Sequence, residues 1–590
     1  MCGICGQVTF CEKSASILPT ASMTDRLKHR GPDALGFYVQ GNTVFGHRRL
    51  KIIDLSERSH QPMVDNQLGL AIVFNGAIYN CHELRLRLED KGYQFFSAGD
   101  TEVILKAYHA WGESCVDHFN GMFAFAILHR DSGDVFLARD RLGIKPLYYA
   151  NNGREFRFAS SLQALLVYND IDADIDPVAL HHYMSFHAVV PAPHTILKGV
   201  KKLPPATTMT VCPDGTVIER VYWNLQFKPN EDEMAYRFDD WKKLLLIHLR
   251  KAVKRRLKAD VPVGVLLSGG LDSSLLVGLL SELGQNGLNT FSIGFERVDD
   301  EIGNEFEYSD YIAERFQTRH HKIEGNAEMV LASMPDCIKA MSEPMVSHDC
   351  IGFYLLSKAV SNHVKVVQSG QGADEVFGGY HWYPPLLDSE DALNDYADLF
   401  FDSNHKGFQA AVHPRFIEED YSRALVKDHF ARMPADSAAD KALHLDTTVM
   451  LVDDPVKRVD NMTMAWGLEA RVPFIDHELV EFAARMPAAY KVGHGGKHIL
   501  KEAAREIIPE KVIDRPKGYF PVPALKYLRG DYMTFVREIM LSRQSRARQL
   551  FNPKFVEQAL ESPDRFITPL NGSRLWQMAV LEYWLTANGI

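Results

Sequence analysis

A chain of 590 residues exceeds what a single hydrophobic core fills, so two or more domains are expected. Apolar residues at 46% and charged residues at 24% give an ordinary globular balance, which excludes a disordered or fibrous protein. A net charge of -11 disfavours a nucleic-acid partner, and the densest basic run, Lys251 to Lys258, reads as the solvated face of a helix.

Met1 to Gly6 has no basic segment followed by an apolar one, so no secretory signal is expected and the chain reads as cytoplasmic. The eight cysteines, at 2, 5, 11, 81, 115, 212, 337 and 350, are too sparse for a disulfide scaffold and read as reduced thiols. Cys2, Cys5 and Cys11 lack a second Cys/His pair at ligand spacing, so they are not read as a metal site. Removal of Met1 would leave Cys2 with a free thiol and a free α-amine. The thiol is a strong nucleophile once deprotonated, and an α-amine of pKa about 7.7–8.0 can take its proton. Further along, Thr101 to Trp111 places Val103, Ile104, Ala107, Tyr108 and Trp111 on one helical face. Met122 to Ile127 alternates as a half-buried strand does, and Asp134 to Arg139 is its expected hairpin partner. Residues 1–205 form the first expected domain, and the polar stretch over 206–240 is the expected linker.

From 241 to 590 the pattern changes. Buried-type strands at Val263 to Leu267, Thr290 to Phe295 and Val364 to Val367 alternate with long helical stretches, which implies a parallel sheet covered by helices. The window Val263 to Leu280 is apolar but is broken by Gly269, Gly270, Asp272 and three serines, which excludes a membrane span. Its segment Ser268-Gly269-Gly270-Leu271-Asp272-Ser273-Ser274 joins a strand to a helix. Such a turn offers backbone N–H groups and hydroxyls to phosphate oxygens. The Gly-Lys-Ser/Thr ending of a Walker A loop is absent.

Cys2-Gly3-Ile4, His29-Arg30-Gly31-Pro32-Asp33, Gly46-His47-Arg48-Arg49-Leu50, Phe74-Asn75-Gly76, Gly99-Asp100-Thr101-Glu102 and Ala138 to Tyr148 together resemble the class II glutamine amidotransferase domain. The resemblance implies an Ntn-type αββα sandwich in which Cys2 attacks the side-chain amide of glutamine. Asn75 and the Gly76 N–H would form the oxyanion hole, Arg49 would pair with the α-carboxylate and Asp100 with the α-ammonium. One departure stands out. The family usually reads Asn-Gly-Glu-Ile-Tyr-Asn, and Ala77 occupies the glutamate position.

The second half resembles the PP-loop ATP-pyrophosphatases, and narrows to the asparagine synthetase family through Phe291 to Phe295, Ser369 to Glu375, Trp466 to Asp476 and Arg515 to Phe520. That implies ATP held by Leu267, Ser268, Gly269, Gly270, Asp272, Ser273, Ser274, Ile293, Ser369 and Gly370. Mg²⁺ would sit on Asp272 and Asp374, and Lys517 would stabilise charge on the intermediate or the departing pyrophosphate. The implied reaction adenylates a small carboxylate and amidates it with ammonia from glutamine through a protected passage; a homodimer is a further family expectation.

Departures cluster in motifs associated with the acceptor. Gln371 replaces the glutamate of Ser-Gly-Glu-Gly, Asn461 replaces an arginine, and Glu343 to Asp349 is atypical. Loss of a carboxylate suits an acceptor whose amine is blocked. The variant motifs resemble the subgroup acting on N-acetylglutaminylglutamine; aspartate is the alternative acceptor. A β-lactam-forming relative would lose Cys2. A non-catalytic binding protein would lose Cys2, Ser268, Asp272 or Lys517, and all four are present.

Overall fold

The strand Gly3–Thr9 is buried along its whole length because it lies inside a six-stranded antiparallel sheet. The order across that sheet is Lys201–Lys202, Tyr148–Asn151, Glu155–Ala159, Gly3–Thr9, Thr43–Arg49 and Ala34–Gln40. A second antiparallel sheet runs Val217–Val221, Thr207–Val211, Val135–Arg139, Gly121–His129, Leu70–Ile78 and Met63–Asp65. Their facing sides share a core of Ile4, Val8 and Phe45 against Val73, Ala124, Ala126, Leu137 and Met209. Helices Cys81–Glu89 and Asp100–Trp111 cover the outer face of the second sheet, and Ile17–Arg26 and Leu162–Leu165 pack on the first. This is the expected αββα sandwich. The structure, a computed structural model, describes residues 2–10, 15–296, 303–433, 435, 437–515 and 528–590.

The hairpin read from alternation is present, with Ala124 opposite Arg139 and Leu128 opposite Val135. The expected linker over 206–240 needs correction. Thr207–Val211 and Val217–Val221 are strands of the second sheet, and helix Phe238–Arg255 begins before 240. The short, partly charged sequence of Val217–Val221, an exposed edge strand, hid this pairing.

The second half is built on a five-stranded parallel sheet, ordered Arg319–Gly325, Asn289–Phe295, Val263–Leu266, Val366–Gln368 and Glu469–Arg471. Helices Phe238–Arg255 and Leu271–Glu282 lie in one apolar cluster with Val265, and Asp349–Val360 and Lys457–Met464 lie in another with Val367. Burial on both faces explains why the central strands lack polar alternation. The two halves share these cores. Ala77, Met122, Leu142 and Ile144 of the sandwich pack in the same cluster as Ala373, Leu451, Val456 and Ile475. Between residues 384 and 445 the chain makes a helical excursion, anchored by Asp446, which accepts from Trp382 Nε1 and the Tyr383 and Tyr396 hydroxyls. No described helix is long and apolar enough to cross a membrane.

Candidate active sites

Cys2 lies at the head of the first strand of the sandwich and lines a pocket with Arg49, Gly76, Ala77 and Asp100. Burial raises its thiol pKa, so attack requires a base. The Cys2 N–H donates to Asn75 Oδ1 at 3.0 Å. That bond fixes the orientation of the amide and leaves Asn75 Nδ2 buried with no acceptor among the described residues. A Cβ on Gly76 would stand 2.1 Å from the Met122 carbonyl oxygen, so only glycine fits beside the strand Gly121–His129. Arg49 is buried and held by the carbonyls of Ser56, at 2.9 Å, and Asp54. Those acceptors are neutral, so the guanidinium brings its charge to the pocket. Asp100 accepts from the Ile78 N–H at 2.9 Å, and burial raises its carboxyl pKa. The structure thus brings Cys2, Arg49, Asn75, Gly76 and Asp100 together.

Two further residues line this pocket that sequence reading left without a role there. Glu469 and Arg471 come from the edge strand of the other half, and Arg471 Nε donates to Glu469 Oε1 at 2.6 Å. Burial opposes the Glu469 charge, but positive neighbours including Arg471 and Lys145 hold its pKa at about 2. The Arg471 carbonyl accepts from Ser369 N–H at 2.9 Å, so this one residue touches the Cys2 pocket and the start of Ser369-Gly370-Gln371. Arg30 makes a second link. Its Nε donates to the Cys2 carbonyl at 3.3 Å and its Nη1 pairs with Asp460 at 2.9 Å, where Lys145 also binds at 3.2 Å.

The strand Val263–Leu266 runs into the glycine turn and helix Leu271–Glu282. Gly269 has φ +77, and a Cβ there would lie 2.6 Å from Ser309 N. The turn is organised by Ser268 Oγ, which accepts from Gly270 N–H at 3.3 Å and lies 3.1 Å from Ser273 Oγ. Ser274 Oγ is buried without a hydrogen-bond partner among the described residues. Leu267 and Ile293 are buried at the carboxyl ends of adjacent parallel strands, the usual place for a ligand in such a sheet. Gly370 packs against the turn, a Cβ there standing 3.0 Å from Asp272 Cβ, so Ser369 and Gln371 flank the same loop.

Lys497 was not singled out in the sequence. Its ammonium bonds Asp272 Oδ2 at 2.6 Å and Asp374 Oδ1 at 2.9 Å, so the two proposed metal carboxylates converge on one cation. Burial works against this charge, yet the two carboxylates raise the Lys497 pKa. The run Gly495-Gly496-Lys497, with positive φ at all three, turns the chain to present it. Arg515, also unassigned, approaches the loop, its Nη2 lying 3.6 Å from a Cβ built on Gly270. Lys517 lies outside the described residues.

Asn461 bonds the backbone on both ends of its amide, one of them at Ser342, next to the atypical stretch Glu343 to Asp349. Its Oδ1 accepts from Ser342 N–H and its Nδ2 donates to the Lys457 carbonyl at 2.8 Å, so its amide is spent on backbone.

A buried thiol joined through one strand to a glycine turn at the carboxyl edge of a parallel sheet is the arrangement expected of an ATP-dependent amidotransferase of the carbon–nitrogen ligase class, and the family matches show that class. Residues 245–586 match the family described as asparagine synthase, and residues 1–223 match the glutamine amidotransferase domain. The chain belongs to the asparagine synthase family. It is 32% identical to asparagine synthetase [glutamine-hydrolyzing] 1 of Bacillus subtilis, covering 96% of this chain and 93% of the relative. It is 30% identical to asparagine synthetase B of Escherichia coli, covering 88% and 82%. Amidase chry2 of Gibberella zeae is 24% identical over 92% of each chain.

Proposed function

We propose that this chain hydrolyses glutamine at Cys2, passes the ammonia to the second half, and amidates the carboxylate of an acylated dipeptide such as N-acetylglutaminylglutamine. The observation that carries the coupling is Arg471, whose side chain lines the Cys2 pocket while its carbonyl holds the Ser369 N–H.

In the first step the Cys2 thiol, deprotonated by the α-amine freed on removal of Met1, attacks the glutamine side-chain carbon. Asn75 Nδ2 and the Gly76 N–H receive the developing oxyanion, ammonia leaves, and water releases glutamate from the thioester. Arg49 and Asp100 orient the substrate's α-groups. With Ala77 in place of a glutamate, Asp100 is the sandwich's carboxylate for the α-ammonium in this pocket. In the second half the acceptor carboxylate attacks the α-phosphorus of ATP, giving an acyl-adenylate and pyrophosphate. Ammonia attacks the acyl carbon and AMP departs. Ser268 to Ser274 cradle the phosphates, Leu267 and Ile293 seat the adenine, and Lys497 and Lys517 offset the developing charge. Asp272 and Asp374 supply the oxygen donors that suit Mg²⁺, and their convergence on the Lys497 ammonium fits a cation-binding position. When bound, Mg²⁺ neutralises phosphate charge.

Ammonia must stay unprotonated between the sites. The shared apolar cluster running from Ala77 and Met122 to Val456 and Ala373 supports a dry route of that kind. Gln371 supports the blocked acceptor. It sits beside the nucleotide loop as a neutral amide, where it offers no counter-charge for a free α-ammonium. We assign 1–223 to the glutaminase half and 238–590 to the synthetase half, and we read the protein as a cytoplasmic homodimer without a nucleic-acid partner. The test is pyrophosphate release with ATP, Mg²⁺ and glutamine, comparing L-aspartate with N-acetylglutaminylglutamine. Release with the dipeptide alone supports the proposal; release with aspartate alone makes the chain an asparagine synthetase.

A further inference from the structure

The helical excursion over 384–445 takes no part in the chemistry above, yet it meets the amino-terminal half where three metal-ligating side chains converge. His181 lies on helix Pro177–Ser185, His405 opens helix His405–Ala411, and Asp420 caps helix Tyr421–Arg432. His181 Nε2 is 3.1 Å from His405 Nδ1 and 3.7 Å from Asp420 Oδ1, and the three donor atoms all lie within 4.8 Å of one another. We propose that His181, His405 and Asp420 form a zinc site that clamps the helical excursion onto helix Pro177–Ser185.

The spacing fits the ion. Tetrahedral zinc with bonds of about 2.0–2.1 Å sets its ligand atoms about 3.3 Å apart, between the two shorter separations seen here. Two imidazoles and one carboxylate suit zinc better than magnesium or calcium, which take oxygen ligands. Three protein ligands leave a fourth position for water, and partly exposed Asp420 gives access to it.

The surroundings hold the ligands in place. Ser422 meets His181 Nδ1 with its Oγ at 3.0 Å and with its backbone N–H, which donates to the same nitrogen at 3.4 Å; metal on Nε2 moves the ring proton to Nδ1, where Oγ accepts it in place of that long backbone bond. The Gln409 side-chain amide lies 3.0 Å from His405 Nε2, and with its oxygen turned inward it frees Nδ1 in the same way. Phe408 packs on the His181 ring at 4.4 Å and limits its rotation. Without metal, a His181 Nε2–H shared between His405 Nδ1 at 3.1 Å and Asp420 Oδ1 at 3.7 Å holds the same three side chains together, and retention of zinc separates the two arrangements.

The test uses the full chain, stripped of metal and free of ATP and Mg²⁺, titrated with Zn²⁺. Retained metal is measured by mass spectrometry after gel filtration, and thermal unfolding is followed in parallel. The expected result is one retained equivalent and a higher unfolding midpoint, both kept in Cys2→Ser and lost in His405→Ala. Asp420→Asn, which preserves the helix cap, should weaken binding about tenfold or more. Equal midpoints of wild type and His405→Ala in chelator establish that the variant folds. If it does not fold, Asp420→Asn alone decides. No retained zinc, or equal retention by wild type and the variant that folds, overturns the proposal.

Discussion

Asn75→Ala tests the glutaminase half most sharply, because the two ends of that amide do different work. Oδ1 holds the Cys2 N–H at 3.0 Å, while Nδ2 is buried with no acceptor among the described residues. Loss of one oxyanion donor costs about 10²–10³-fold in kcat, or about 2.7–4 kcal/mol. Loss of the bond to Cys2 adds about 1 kcal/mol of mispositioning. The expected fall in glutamine hydrolysis is therefore about 10³-fold, read as glutamate release. The second half has no use for Nδ2, so pyrophosphate release driven by ammonium in place of glutamine should stay within about threefold of wild type. Retention of a tenth or more of the glutaminase rate would refute the oxyanion assignment. A parallel loss of the ammonium-driven rate would show that the substitution had damaged the fold instead.

Three other substitutions probe the rest of the account. Lys497→Gln removes the cation between Asp272 and Asp374 and should lower ATP-dependent pyrophosphate release about 100-fold while sparing glutaminase; equal losses at both sites would contradict the assignment. Asp460→Asn strands Arg30 and Lys145 in a buried interface and should destabilise by about 3–5 kcal/mol, seen as a lower urea midpoint, whereas a cost under about 1 kcal/mol would count against a coupled interface. Glu375 is buried beside Asp374, and burial and that neighbour raise its pKa from 4.5 to about 7. The folded state then binds more protons than the unfolded one between those values, so wild-type stability falls as pH rises through that window, by at most about 3 kcal/mol. Glu375→Gln should be the more stable protein at pH 8 and lose that advantage below pH 4.5; parallel stability curves would refute the sign.

Local signals made much of the architecture legible. Alternation gave the hairpin Gly121–His129 with Val135–Arg139, and apolar runs gave the central parallel strands. Cys2, Arg49, Asn75 and Asp100 were singled out through the short motifs that carry the family resemblance, and the structure gathers them around one pocket. What escaped was long-range. Glu469 and Arg471 reach the Cys2 pocket from 467 residues or more down the chain, a juxtaposition that only the packing of the two halves creates. Lys497 was hidden in the same way, since nothing in its own sequence says that Asp272 and Asp374 will meet it. Asn461 shows what a motif departure leaves unread: its amide serves the backbone of Ser342 and Lys457, a partnership that the sequence does not announce.

The most direct test of two coupled sites in one chain is a single-turnover reaction with amide-¹⁵N-glutamine in excess unlabelled ammonium. The account predicts that most of the product amide carries ¹⁵N, because ammonia passes from Cys2 to the acyl-adenylate without mixing with solvent. Product whose label matches the bulk ammonium pool would contradict it, and the two halves would then be separate enzymes on one chain.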